Sequence, residues 1–178
     1  MSIDLYTHGI CFIGLTIALI YDVWKYRIPN QLTVSLALVG LANGAIQYGW
    51  SGFVEHVLGM LAGLGIFFIP YLLGAYGAGD VKMMAAIGAV MGLSFIVANS
   101  LVVIAVGGVI AMGLILRRKG WRRIFHLFSL LSIYFFTGKM KEFMSTLKDR
   151  SQGAFPYGIA IFIGTLLTMY LEYAGGDL

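Results

Sequence analysis

Charged side chains are scarce in this chain. Asp, Glu, Lys and Arg make up 11% of it, against roughly 25% in soluble domains. Too few remain to cover a water-facing surface, and the mean hydropathy is +0.89, so the chain reads as an integral membrane protein. Cysteine is scarcer still. Cys11 stands alone in an apolar run, which excludes an intramolecular disulfide and a CxxC metal knuckle. The start, Met1-Ser2-Ile3-Asp4, has no basic stretch. A long apolar run follows rather than a short one with a small-residue cleavage site, so no cleavable signal peptide is expected. His8, His56 and His126 are not spaced as metal ligands, and neither a metal nor another cofactor is expected.

What is abundant is apolar sequence in lengths that suit a bilayer. A helical span needs about 20 apolar residues. Runs at 7–24, 31–48, 54–73, 80–92, 93–116 and 154–171 are read as six spans, with a turn at 49–52. The fourth is short, which suits a helix packed inside the bundle or set beside a thinned rim. The run 124–137 is only about 14 residues long, which suits an interfacial or re-entrant helix rather than a span. The expected fold is therefore all-α: one polytopic membrane domain over 1–178, with six transmembrane helices and a short cytoplasmic-face interfacial helix.

Charge sets the orientation. Of the twelve basic residues, Lys25 and Arg27 follow the first span, Lys82 follows the third, and the rest lie between the fifth and sixth. With the N-terminus outside, all fall on the cytoplasmic side, as the Lys/Arg bias of cytoplasmic loops requires. Counting 124–137 as a seventh span would divide them between the two faces. The net charge of +4 thus reflects orientation and does not point to nucleic acid. The basic stretches 117–123 and 139–150 suit anionic lipid headgroups, with a dock for protein partners as the sharper alternative.

Glycine is plentiful, with 24 residues. Gly40 with Gly44, Gly59 with Gly63 and Gly88 with Gly92 form small-xxx-small pairs, which let helices approach closely in lipid. Alanine at Gly59 is expected to be tolerated on that reading. Residues 74–79 do not make a nucleotide loop, because no strand precedes them.

The most improbable residue is Asp80, in Gly77-Ala78-Gly79-Asp80-Val81-Lys82. It follows more than twenty residues without Asp, Glu, Lys or Arg. An ionisable group at such a place is a functional-site candidate. The assigned topology puts Asp22, near the end of the first span, at the same depth. Two close carboxylates cannot both ionise cheaply, so they share a proton. One member can then activate a water while the other donates to a carbonyl oxygen. The residues alone leave other readings open. Asp22 can pair with Lys25, Asp80 can cap a helix, and the pair can serve as the relay of an ion- or proton-coupled transporter.

The local sequences resemble a known family. Tyr21-Asp22, followed by Arg27-Ile28-Pro29-Asn30, then Gly77-Ala78-Gly79-Asp80, then Pro156-Tyr157-Gly158-Ile159-Ala160 look like the motifs of the type IV prepilin peptidases, in family order. These are membrane aspartic proteases with a Gly-x-Gly-Asp motif. The resemblance implies that Asp22 and Asp80 are the catalytic pair. It implies prepilin or pseudopilin substrates, cut at the cytoplasmic face of the inner membrane. The chain has no paired CxxC segment of the kind found in bifunctional members. It is similar to the short members of tight-adherence (Flp-type) systems, so N-methyltransferase activity is not expected. Presenilin-like proteases share Tyr-Asp and Gly-x-Gly-Asp but are larger; archaeal preflagellin peptidases share the motif as well. Supporting roles are assigned to Gly77 and Gly79, as backbone that a substrate strand approaches, to Lys82, which either holds the ionised Asp80 or only marks the inside boundary, and to Arg27, Pro29 and Asn30 at the entry to the second helix.

Overall fold

The computed structural model describes residues 2–25, 27–72, 76–117 and 157–175. The expected interfacial helix at 124–137, the basic stretches from 118 onward and the beginning of the last span at 154 lie outside them. Five helices make up the described part: α1 Ser2–Lys25, α2 Asn30–Leu72, α3 Ala78–Met91, α4 Leu93–Arg117 and α5 Gly158–Gly175. No strand occurs among the described residues. All but α3 are long and apolar enough to cross a membrane, and the protein is a multi-pass membrane protein.

With 43 residues, a straight α2 would run about 65 Å, twice the ~30 Å of a hydrocarbon core. It does not run straight. Gly49 takes φ 64° and ψ −144°, a left-handed backbone that glycine adopts at little cost. The chain reverses there into two limbs, 30–48 and 50–72. The turn expected at 49–52 is thus confined to Gly49, and residues 50–52 are already helical. Gly52 lies on Gly44, and a Cβ at Gly44 would sit 2.6 Å from the His56 ring.

Helix α3 is the centre of the bundle. It packs most extensively against α2, and ten of its 14 residues are buried. The two α2 limbs clasp it through glycines. A Cβ at Gly40 would collide with the Ala89 carbonyl, one at Gly59 with the Gly88 carbonyl, and one at Gly63 with the Met84 carbonyl. His56 caps the far end of α3, its Nδ1 bonding the Ala89 carbonyl at 2.8 Å where helix carbonyls lack partners. Gly92, at φ 86°, then turns the chain into α4.

The outer helices register against this centre. Helices α1 and α5 run antiparallel, as two contacts at opposite ends show: His8 with Glu172 at 3.3 Å, and Asp22 with Gly158 at 2.9 Å. Helices α4 and α5 are joined by a buried polar seam. Asn99 donates to Thr165 at 3.2 Å and accepts from Thr168 at 3.2 Å, a satisfied network of the kind that holds helices together in lipid.

The close approach at Gly59 corrects the expectation that alanine is tolerated there. The facing atoms are the backbone of Gly88 and Gly92, which cannot rotate away as a side chain can. Gly59→Ala should lower stability by about 1–3 kcal/mol through overpacking. Gly65→Ala, with nothing within 4 Å of the added carbon, should stay within about 0.5 kcal/mol. Thermal unfolding of both variants in detergent checks the contrast.

Candidate active site

Both singled-out acids are buried, Asp22 at 6% exposure and Asp80 at 7%. A buried carboxyl needs donors, and each finds a backbone amide. Asp80 is the third residue of α3, and its Oδ2 accepts the Gly77 N–H at 2.9 Å. This is the reaching-back half of a capping box. Asp22 is served from far along the chain. Its Oδ2 accepts the Gly158 N–H at 2.9 Å. Gly158 opens α5, so this N–H is one of those that a helix leaves unpaired, and the partial positive charge of the helix end faces the carboxyl. Among the described residues Oδ1 of neither acid makes a hydrogen bond. Tyr76 and Tyr157, which directly precede the two donor glycines, meet through their hydroxyls at 2.8 Å, so both carboxyls are held in one region of the bundle. The tertiary fold therefore brings together two acids 58 positions apart in sequence.

The approach of α5 to Asp22 depends on a missing side chain. A Cβ at Gly158 would stand 2.5 Å from Asp22 Oδ2 and 3.0 Å from its Cβ. Gly158 was visible in the sequence as part of a motif but not as a partner of Asp22, because nothing in a linear pattern says which helix end faces which acid. Tyr76 and Tyr157 are further neighbours; Tyr157 stands in the same motif as Gly158, but the sequence assigns a role to neither tyrosine. Their hydroxyls meet at 2.8 Å.

The other residues assigned supporting roles are placed differently from one another. Lys82 does not pair with Asp80. Its Nζ donates to Asn30 Oδ1 at 2.8 Å, tying the first turn of α3 to the start of α2. Pro29 stands just before α2, and its carbonyl accepts from Leu32 and Thr33, so its missing N–H costs nothing there. Arg27 is exposed. Gly77 has φ −79° and ψ 154°, extended backbone open to any residue. A Cβ at Gly79 would meet the Ile28 side chain at 3.2 Å, and Ile28 is buried. Gly79 thus seats the α1–α2 link against α3, a contact that its place beside the acid does not announce. No group of three His, Cys, Asp or Glu residues suited to a metal occurs among the described residues.

The sequence profile of the type IV leader peptidase family matches residues 9–114. The chain belongs to the type IV leader peptidase family. The matched stretch contains Asp22, Asp80 and all the residues placed around them except Tyr157 and Gly158. No curated protein and no solved structure matches the chain. As a member of this family the protein is a protease with a general role in removing prepilin leaders. The transporter alternative has no observation in its favour.

Gly158→Ala should therefore displace Asp22; with Asp22 as the catalytic acid proposed below, leader cleavage should fall about 100-fold, the order of effect of a ~1 Å displacement of a reacting group. The loss should appear in the initial rate per folded enzyme. Gly9→Ala, with open space around the added carbon, should cleave at the wild-type rate.

Proposed function

We propose that the protein is an aspartic endopeptidase that cuts the leader from Flp-like prepilins, with Asp22 and Asp80 as its catalytic pair. The observation that carries this reading is the joint burial of two acids, each fixed through Oδ2 by the backbone amide of a glycine whose preceding tyrosine meets the other's. Oδ1 of each is then the atom left for reaction. Two neighbouring carboxyls hold one proton between them more readily than none. The ionised member takes a proton from water as the water attacks the scissile carbonyl. The protonated member gives its proton to the carbonyl oxygen. Collapse of the tetrahedral species breaks the C–N bond, and the leaving nitrogen takes up a proton. Neither a metal nor a protein nucleophile enters this scheme. N-methylation of the product is not part of the proposed activity.

The proposed setting is the inner membrane, with six spans, counting the two limbs of α2 and the buried α3. The N-terminus lies outside and the aspartates sit toward the cytoplasmic face. The Lys and Arg distribution supports this orientation. Lys82 and Asn30, tied to each other, are proposed to hold the entries of α2 and α3 at that face. Partners proposed are prepilins or pseudopilins, membrane lipids and pilus-assembly proteins.

Asp22→Asn and Asp80→Asn test the chemistry cleanly. An amide oxygen still accepts the Gly158 or Gly77 N–H, so folding should persist, yet an amide cannot shuttle the proton. Each variant should lose leader cleavage, read as the mobility shift of a co-expressed prepilin, while its level in the membrane stays unchanged. Processing retained in either variant would refute the two-aspartate scheme.

Orientation has its own test. Reporter fusions at Trp50 and Gly175 should report periplasm, and fusions at Lys119 and Gly153 should report cytoplasm. A periplasmic signal at Gly153 would add a span at 124–137 and reverse the last helix.

A further inference from the structure

The two amides that hold the aspartates share a feature of sequence. Each belongs to a glycine preceded by tyrosine: Tyr76-Gly77 serves Asp80, and Tyr157-Gly158 serves Asp22. These dipeptides are 81 positions apart, yet their tyrosine hydroxyls meet at 2.8 Å. The rings pack edge to face with centroids 4.3 Å apart, and Phe67 lies against Tyr76 at 5.1 Å. Bonds therefore run without a break from one acid to the other, through Gly77, Tyr76, Tyr157 and Gly158.

The hydroxyl pair has a direction and a seat. Tyr157 donates to the Val103 carbonyl at 3.4 Å. A phenol has one proton, so Tyr76 donates to the Tyr157 oxygen. One turn further along α4, a Cβ at Gly107 would collide with the Tyr157 hydroxyl. Gly107 thus leaves the space in which that hydroxyl sits. Among the described residues neither hydroxyl bonds a carboxyl. Each tyrosine directly precedes a glycine whose N–H holds an acid, which places the pair beside the acids without touching them.

We propose that Tyr76 and Tyr157 form a latch that fixes the spacing of Asp22 and Asp80, and that both are positioning residues for leader cleavage. The proposal rests on the two-aspartate reading. The α2–α3 link carries one acid's amide donor, and the chain entering α5 carries the other's. Apart from the latch, the contacts between α3 and α5 are few. A lone buried hydroxyl bond contributes modestly to folding, but reaction rate is steep in the separation of reacting groups. Loss of the bond should therefore show in turnover more than in stability.

The test uses Tyr76→Phe, Tyr157→Phe and the double variant, which keep both rings. Full-length enzyme in liposomes is given an Flp-type prepilin bearing its leader, and amide exchange is followed at Gly77 and Gly158. Each single variant should lower kcat about tenfold, part of the ~100-fold that a 1 Å displacement causes. KM should stay within about twofold. The double variant should be no slower than the slower single one, because either change opens the same latch. Exchange at both glycines should quicken in all three. Wild-type kcat in either single variant, losses that multiply in the double, or unchanged exchange would each overturn the latch. Asp22→Asn and Asp80→Asn run alongside separate the two readings. If they still cleave, the catalytic pair itself is wrong. If they are inactive while the Phe variants cleave at the wild-type rate, only the latch fails.

Discussion

Burying a carboxyl without a donor is costly, and this structure buries two beside each other. That constraint organises the site. Each acid is kept in the bundle by a backbone N–H, Gly77 for Asp80 and Gly158 for Asp22. A backbone donor has no rotamers to lose, so it fixes one carboxyl oxygen and leaves the other without a hydrogen bond among the described residues. Both donors also lie at helix starts, where N–H groups lack partners within the helix. The unmet needs of the helix ends and of the acids are satisfied together.

Such donors reach the acids only if helices approach closely, and glycine makes that possible throughout. Gly40, Gly59 and Gly63 let the α2 limbs close on α3 until backbone meets backbone. That sets where the first turn of α3, and hence Asp80, stands. Gly158 does the same for α5 and Asp22, and Gly79 accepts Ile28 from the α1–α2 link. Lipid supplies no hydrophobic drive between helices, so packing at this range takes its place. The glycines are structural in most of these contacts. At Gly158 the same closeness is also a matter of carboxyl position.

Sequence and structure agree where a property is local. A run of apolar residues dictates a helix of bilayer length, because unpaired backbone groups are not tolerated in lipid. The pattern around Asp80 marks it as exceptional whatever it contacts. The break at Gly49 was foreseen as a turn, although it is narrower than the composition of 49–52 suggested. The shortness of α3 pointed to an inner helix, and its burial bears that out. Agreement ends where a residue's meaning depends on what faces it. Lys82 stands two places from Asp80 yet bonds Asn30, since its position on α3 turns it toward the start of α2. Gly79 flanks the acid yet packs on Ile28. Gly59 reads as an ordinary small residue in a helix, and only the opposed Gly88 backbone shows that a methyl group does not fit.

The sequence by itself determined that this is an all-helical membrane protein of the type IV leader peptidase family, and which two acids are out of place in apolar surroundings. Those properties follow from composition, run length and short motifs, all of which are carried by neighbours in the chain. The tertiary structure alone decided that Gly158 holds Asp22, that Tyr76 meets Tyr157, and that Lys82 turns away from Asp80. These are contacts between segments 52 to 136 positions apart. Helix packing sets their register, and register depends on which small residues lie opposite one another, which a linear pattern does not encode.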